Sequence, residues 1–131
     1  MKKVLVTGGA GYIGSHIVEL LIKKKYRVFI VDNLVTGYRK LINKKAKFFK
    51  LNILNSSKLK KIIINNKINS IIHLAASLSI GIGEKYPKRY YKNNVQGAKS
   101  LMKACKNTNI KNFIFSSTAA VYKEGFKHVT E

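Results

Sequence analysis

Val6 to His16 reads VTGGAGYIGSH, four glycines in eleven residues, set directly after the apolar Val4-Leu5-Val6 and directly before a segment with helical spacing. Glycine loses more conformational freedom on folding than any other residue, so such a cluster marks either a flexible linker or a place where something approaches bare backbone. The spacing favours the second reading. Gly9-x-Gly11-x-x-Gly14 matches the dinucleotide fingerprint, and Gly8-x-x-Gly11-x-x-Gly14 matches its variant spacing. In that reading Gly8 and Gly9 let the strand turn tightly, Gly11 admits a pyrophosphate close to the backbone, and Gly14 lets the helix pack closely on the sheet. The pyrophosphate would lie at the helix N-terminus, where free N–H groups and the positive end of the dipole point at it.

The rest of the chain repeats the strand-then-helix alternation begun there. Val4-Leu5-Val6 predicts a buried strand and Tyr12 to Lys25 a helix, with Ile13, Ile17, Leu20 and Leu21 on one face. Strands follow at RVFIVD (27–32), KFFKL (47–51), SIIHL (70–74) and NFIF (112–115), with a helix over 56–66 between the third and fourth. Pro87, the only proline, suits the first turn of a long helix running to about Lys106. Strands that are apolar throughout, alternating with helices, imply a parallel sheet covered on both faces. The expected fold is therefore α/β, a doubly wound parallel sheet of about five strands, in one domain spanning 1–131. Asp32 closes the second predicted strand, about 20 residues beyond the glycines, where an acidic residue accepts hydrogen bonds from an adenosine ribose. It is the only aspartate in the chain. A carboxylate there repels a 2′-phosphate, so NAD is expected over NADP.

Composition narrows the setting. A single cysteine, Cys105, excludes an internal disulfide and offers no metal-ligand pair, so a reducing, cytoplasmic environment is expected. The basic start Met1-Lys2-Lys3 is followed by an apolar run too soon broken for a signal peptide, and no stretch approaches a membrane span. The formal net charge of +21 would attract nucleic acid if focused on one face. Yet 23 of the 26 basic residues are lysine, whereas surfaces that grip phosphates draw on the arginine fork. Lysine, asparagine and isoleucine, all abundant here, share A/T-rich codons, so compositional drift is preferred over a nucleic-acid role.

With those residues in place the sequence resembles the extended short-chain dehydrogenase/reductases and, within them, the UDP-glucose 4-epimerases. The resemblance runs along the chain in register. It rests on TGGAGYIGSH (7–16), DNL (32–34) with Gly37, HLAA (73–76), YYKNNVQG (90–97) and NFIFSSTAAVY (112–122). It implies that Tyr12 and Ile13 offer backbone N–H groups to the diphosphate and that Asp32 with Asn33 holds the ribose. It further implies that Asn52 and Ile53 belong to the cofactor site after the third strand, that Leu74, Ala75 and Ala76 line the cofactor's floor, and that Asn93 meets the nicotinamide half. Thr118 matches the catalytic Ser/Thr, which hydrogen-bonds the sugar's 4-hydroxyl. In the family NAD oxidises that hydroxyl and returns the hydride to the other face, interconverting UDP-glucose and UDP-galactose; full-length members are often homodimers.

Several positions depart from that pattern. The family's general base is a tyrosine followed four residues later by lysine; after Thr118 the nearest tyrosine, Tyr122, is followed at that interval by Phe126. Without a base the 4-hydroxyl proton has no acceptor. The chain is therefore expected to be the N-terminal part of such an enzyme, without its substrate domain, binding NAD weakly and inactive alone. Asn52 stands where an aspartate usually contacts the adenine amino group, and its amide oxygen accepts without charge assistance. Gly81-Ile82-Gly83 replaces a more polar segment. Ala119 and Ala120 occupy the acidic pair that follows the catalytic threonine in nucleotide-sugar 4,6-dehydratases, which favours an epimerase over that rival. Other family enzymes and a non-catalytic NAD-binding remnant are the alternatives. His16, His73, Tyr90 and Tyr91 are expected to pack, with no metal site.

Overall fold

A computed structural model describes residues 2–117 of the chain. Five parallel strands form one sheet in the order β3-β2-β1-β4-β5, where β1 is Lys3–Thr7, β2 Arg27–Asp32, β3 Lys47–Lys50, β4 Ser70–His73 and β5 Asn112–Phe115. Helix α1 (Tyr12–Lys23) joins β1 to β2, and α2 (Ser56–Asn65) joins β3 to β4. The β4 to β5 connection carries α3 (Ile80–Lys85), α4 (Pro87–Tyr91), a π-helical turn (Lys92–Gln96) and α5 (Gly97–Cys105). The strand order reverses at β1, so the C-terminal ends of β1 and β4 flank the crevice where open α/β sheets bind ligands.

Successive residues of β1 to β4 feed opposite layers, whereas β5 is exposed along its whole length. Leu5, Phe29, Val31 and Ile71 pack against Leu59 and Ile63 of α2 and Leu101 and Ala104 of α5. Val4, Val6, Val28 and Ile30 pack against Val18 of α1, with Leu21 and Ile22 beside it. Full burial of side chains of this size contributes about 1.5–3 kcal/mol each, so both layers are needed to hold the sheet.

The observed face of α1 differs from the expected one. Gly14 and Val18 are buried and Leu21 and Ile22 flank them, whereas Ile13 and Leu20 are each 57% exposed. Apolar residues extend around more than half of this helix, so periodicity alone did not fix its rotation. Gly14 fixes it, because a Cβ there would run into the carbonyl of Gly8. The helix also ends at Lys23, two residues early, in a Schellman turn: Lys25 takes a left-handed φ of 61° while Tyr26 N–H bonds to Leu21 O and Lys25 N–H to Ile22 O. The end of α2 repeats this, with Lys67 at φ 52° and Ile68 N–H bonded to Ile63 O.

The predicted third and fourth strands and second helix each run one residue too far, since Leu51, Leu74 and Asn66 fall outside them. The long helix does start at Pro87 and continues to Cys105, but it is broken by the π-helical turn, and α3 before it was not anticipated because its two glycines argue against helix.

Candidate functional site

The glycine turn is built by close backbone contacts. Gly8 has φ +75° and donates its N–H to Val31 O at 2.9 Å, and a Cβ there would stand 2.8 Å from the backbone N of Ala75. At Gly9 a Cβ would meet Ile30 Cγ2 at 2.8 Å, while at Gly11 it would meet only Gly8 O, at 3.3 Å. Gly14 thus lies against the turn itself more than against the sheet. Gly11 is the N-cap of α1 and supplies no side-chain cap, and the first turn carries no acidic residue. The leading N–H groups of the helix, those of Tyr12 and Ile13 among them, therefore have no intrahelical acceptor, and the dipole adds positive character. Both side chains are exposed.

Asp32 is bound into this turn. Its Oδ2 accepts the Ala10 N–H at 3.0 Å and its Oδ1 the Leu34 N–H at 2.8 Å, and only 8% of the residue is exposed. The loop beyond it folds over the glycines, with Tyr38 N–H bonded to Ala10 O at 2.9 Å, and a Cβ at Gly37 would stand 2.9 Å from Asp32 Oδ1. A carboxylate offers about four acceptor directions, so two used by backbone leave capacity for ribose hydroxyls. Asn33 turns back, its Oδ1 accepting the Val35 N–H at 3.0 Å.

The remaining residues implied by resemblance are spread over several elements. Leu74, Ala75 and Ala76 lie beside the glycine turn just past β4: Leu74 N–H bonds to Thr7 O at 3.1 Å, Ala75 is half-buried and Ala76 is exposed. Asn52 uses its Oδ1 on the Leu54 N–H at 2.9 Å, closing a local turn. Ile53 is 5% exposed and packs in the core against Gly97, so only its backbone faces away from that layer. Asn93 Nδ2 reaches Ser77 Oγ at 2.9 Å and, within its own helical turn, Asn94 Oδ1 at 3.2 Å. Asn94, absent from the sequence-based set, holds the Ser77 backbone, a contact no local signal announces. Thr118, Ala119, Ala120 and Tyr122 lie outside the described residues.

Of the packing residues, His73 is buried at the end of β4, its Nδ1 2.6 Å from Thr7 Oγ1 and its ring against Phe113 and Phe115. Burial lowers its pKa. His16 packs edge-on against Tyr12 at 4.8 Å on the exposed side of α1. Tyr90 is half-buried and Tyr91 exposed. Among the described residues no group of three or more His, Cys, Asp or Glu could hold a metal, and no helix is long and apolar enough to cross a membrane.

Comparison with known proteins points the same way as this geometry. Residues 4–130 match the NAD dependent epimerase/dehydratase family. A UDP-glucose 4-epimerase of Lactobacillus helveticus is 45% identical over 120 residues, covering 92% of this chain and 36% of the relative. The crystal structure of a Thermotoga maritima UDP-glucose 4-epimerase with UDP-glucose superposes at a TM-score of 0.88 and 38% identity, over 96% of this chain and 41% of that one. The Brucella ovis UDP-glucose 4-epimerase in complex with NAD gives 0.88 at 39% identity, over 93% and 37%. The chain spans about a third of the length of the curated relatives it matches first. By this match and this fold, the chain belongs to the NAD dependent epimerase/dehydratase family.

Proposed function

We propose that these residues form the N-terminal, dinucleotide-binding part of a UDP-glucose 4-epimerase. The observation that carries the reading is the joint at Asp32: one carboxylate, at the end of β2, hydrogen-bonded into a glycine turn whose helix opens without a cap. The donors of that turn suit a diphosphate, and the free lone pairs of Asp32 suit a ribose diol. Its negative charge disfavours a 2′-phosphate, so the cofactor is NAD. When bound, NAD supplies the acceptor and donor for the hydride at C4 of the sugar. The chain's own residues bind and orient: Tyr12 and Ile13 N–H groups meet the diphosphate, and Asp32 and Asn33 the ribose. Asn52 and Ile53 serve the adenine side, Leu74 to Ala76 form the floor, and Asn93 meets the nicotinamide half. Thr118 hydrogen-bonds the 4-hydroxyl of a UDP-hexose. No tyrosine of residues 1–131 is followed four residues later by lysine, so the base that takes the 4-hydroxyl proton is not a Tyr-x-x-x-Lys pair of these residues.

Titration calorimetry with NAD and NADP tests the reading. Saturable heat with NAD and weaker heat with NADP is expected; a flat NAD titration of folded protein at millimolar ligand removes the proposal.

A further inference from the structure

The hydrogen bonds that converge on Ser77 belong neither to the glycine turn nor to the ribose carboxylate. Asn94 Oδ1 accepts the Ser77 N–H at 2.8 Å, and Asn94 Nδ2 donates to the Ser77 carbonyl at 3.0 Å. One carboxamide thus pairs with both backbone groups of one residue, as a neighbouring strand would, just beyond the end of β4. Asn93 Nδ2 adds a bond to Ser77 Oγ at 2.9 Å and one to Asn94 Oδ1 at 3.2 Å. Both asparagines sit in the π-helical turn Lys92–Gln96 and are half-buried. Successive side chains of an α-helix diverge by about 100°, which makes it hard for neighbours to reach one target. A π turn closes i→i+5 bonds and is wider, so consecutive residues point in more similar directions; such turns recur at functional sites.

What this clamp restrains is the segment Leu74 to Ala76. Its near end is tied to β1 through the Leu74 N–H on Thr7 O, its middle lies against Gly8, and its far end is tied to the helix through Ser77. We propose that Asn94 is a positioning residue: by gripping Ser77 it holds Leu74–Ala76 as the preformed wall of the dinucleotide site, opposite the glycine turn. The proposal rests on the cofactor reading above. It divides the Asn-Asn pair into Asn94, which holds the Ser77 backbone, and Asn93, whose amide bonds to the side chains of Ser77 and Asn94. Ordering the wall in advance removes an entropic cost from binding.

Amide hydrogen exchange and NAD titration of the intact protein, with N94A, N94D and the core variant L101A, test this. In N94A the Ser77 amide exchanges roughly tenfold faster and NAD affinity falls roughly tenfold, the scale of a lost hydrogen bond with its partner left unpaired. N94D keeps an oxygen for the Ser77 N–H but has no donor for the carbonyl, and falls between wild type and N94A. L101A lowers the melting temperature more than N94A does yet leaves the affinity of the folded protein unchanged, a pattern that a merely structural role of Asn94 would not produce. Unchanged exchange at Ser77 in N94A, or NAD affinity equal to that of wild type, overturns the proposal. Wild-type protein that fails to bind NAD overturns the cofactor reading and the proposal with it, a result told apart by the exchange data, which then show the clamp without a ligand to serve.

Discussion

Replacing Asp32 by asparagine changes one atom and tests both the architecture and the site. Asp32 is almost wholly buried and accepts two backbone N–H groups, from Ala10 at 3.0 Å and Leu34 at 2.8 Å. Asparagine has one carbonyl oxygen, so in D32N an NH2 group must face one of those donors. Leaving a buried N–H unpaired costs about 1–3 kcal/mol, and the surviving bond drops from charge-assisted to neutral, a loss of about 1 kcal/mol. Together these give about 3 kcal/mol, or roughly 10 °C in melting temperature for a domain of this size. Thermal denaturation followed by circular dichroism measures it, with E19Q as control. Glu19 undergoes the same loss of charge but sits on the surface, paired with Lys23 at 2.8 Å. An exposed pair of that kind contributes about 0–1 kcal/mol, so E19Q should melt near wild type. D32N melting within about 2 °C of E19Q would refute the argument that the carboxylate holds the turn. In the same variant the preference for NAD over NADP should narrow, because the charge that repels a 2′-phosphate is gone.

Other perturbations read other parts of the molecule. G14A puts a methyl group into the Gly8 carbonyl and should lower the melting temperature by displacing α1 from the turn; a crystal structure with α1 unmoved and an unchanged melt would contradict the packing described. K25G and K67G, at left-handed positions closing α1 and α2, should each stabilise by about 0.5–1 kcal/mol in urea titrations, since an L side chain is strained there. The buried His73 has its pKa lowered by desolvation, so below the unfolded value of about 6.5 the unfolded chain binds the proton more readily and stability falls with falling pH. That slope should be shallower in H73Q than in wild type when melts are compared from pH 7.5 to 5; parallel curves would remove His73 as its source.

Much of the site was legible because the demands fall on backbone and on single residue types. Only glycine tolerates the crowding at positions 8 and 14, and a lone aspartate at the end of β2 is conspicuous in a lysine-rich chain. Strands β1, β2 and β4 were legible because packing on both faces leaves an apolar run. The rotation of α1 was not, because Ile13, Ile17 and Leu20 continue the apolar arc past the half that packs. Nor was the grip of Asn94 on Ser77, which depends on a π turn and a pairing across 17 positions that no local pattern encodes. Left-handed lysines at 25 and 67 likewise hide where glycine would have announced a helix end.

Of the five described strands, the one made before the others is the one that lies in the middle of the sheet. β1 pairs on one side with β2, but its other edge waits for β4, so Val4 to Thr7 stay half-partnered until His73 has been made. Closing so long a loop slows folding, and a waiting apolar edge is open to other chains in the interval. Newly made chains of this protein should therefore be most vulnerable to clumping while β1 to β3 are available and β4 is not, a hazard set by strand order alone.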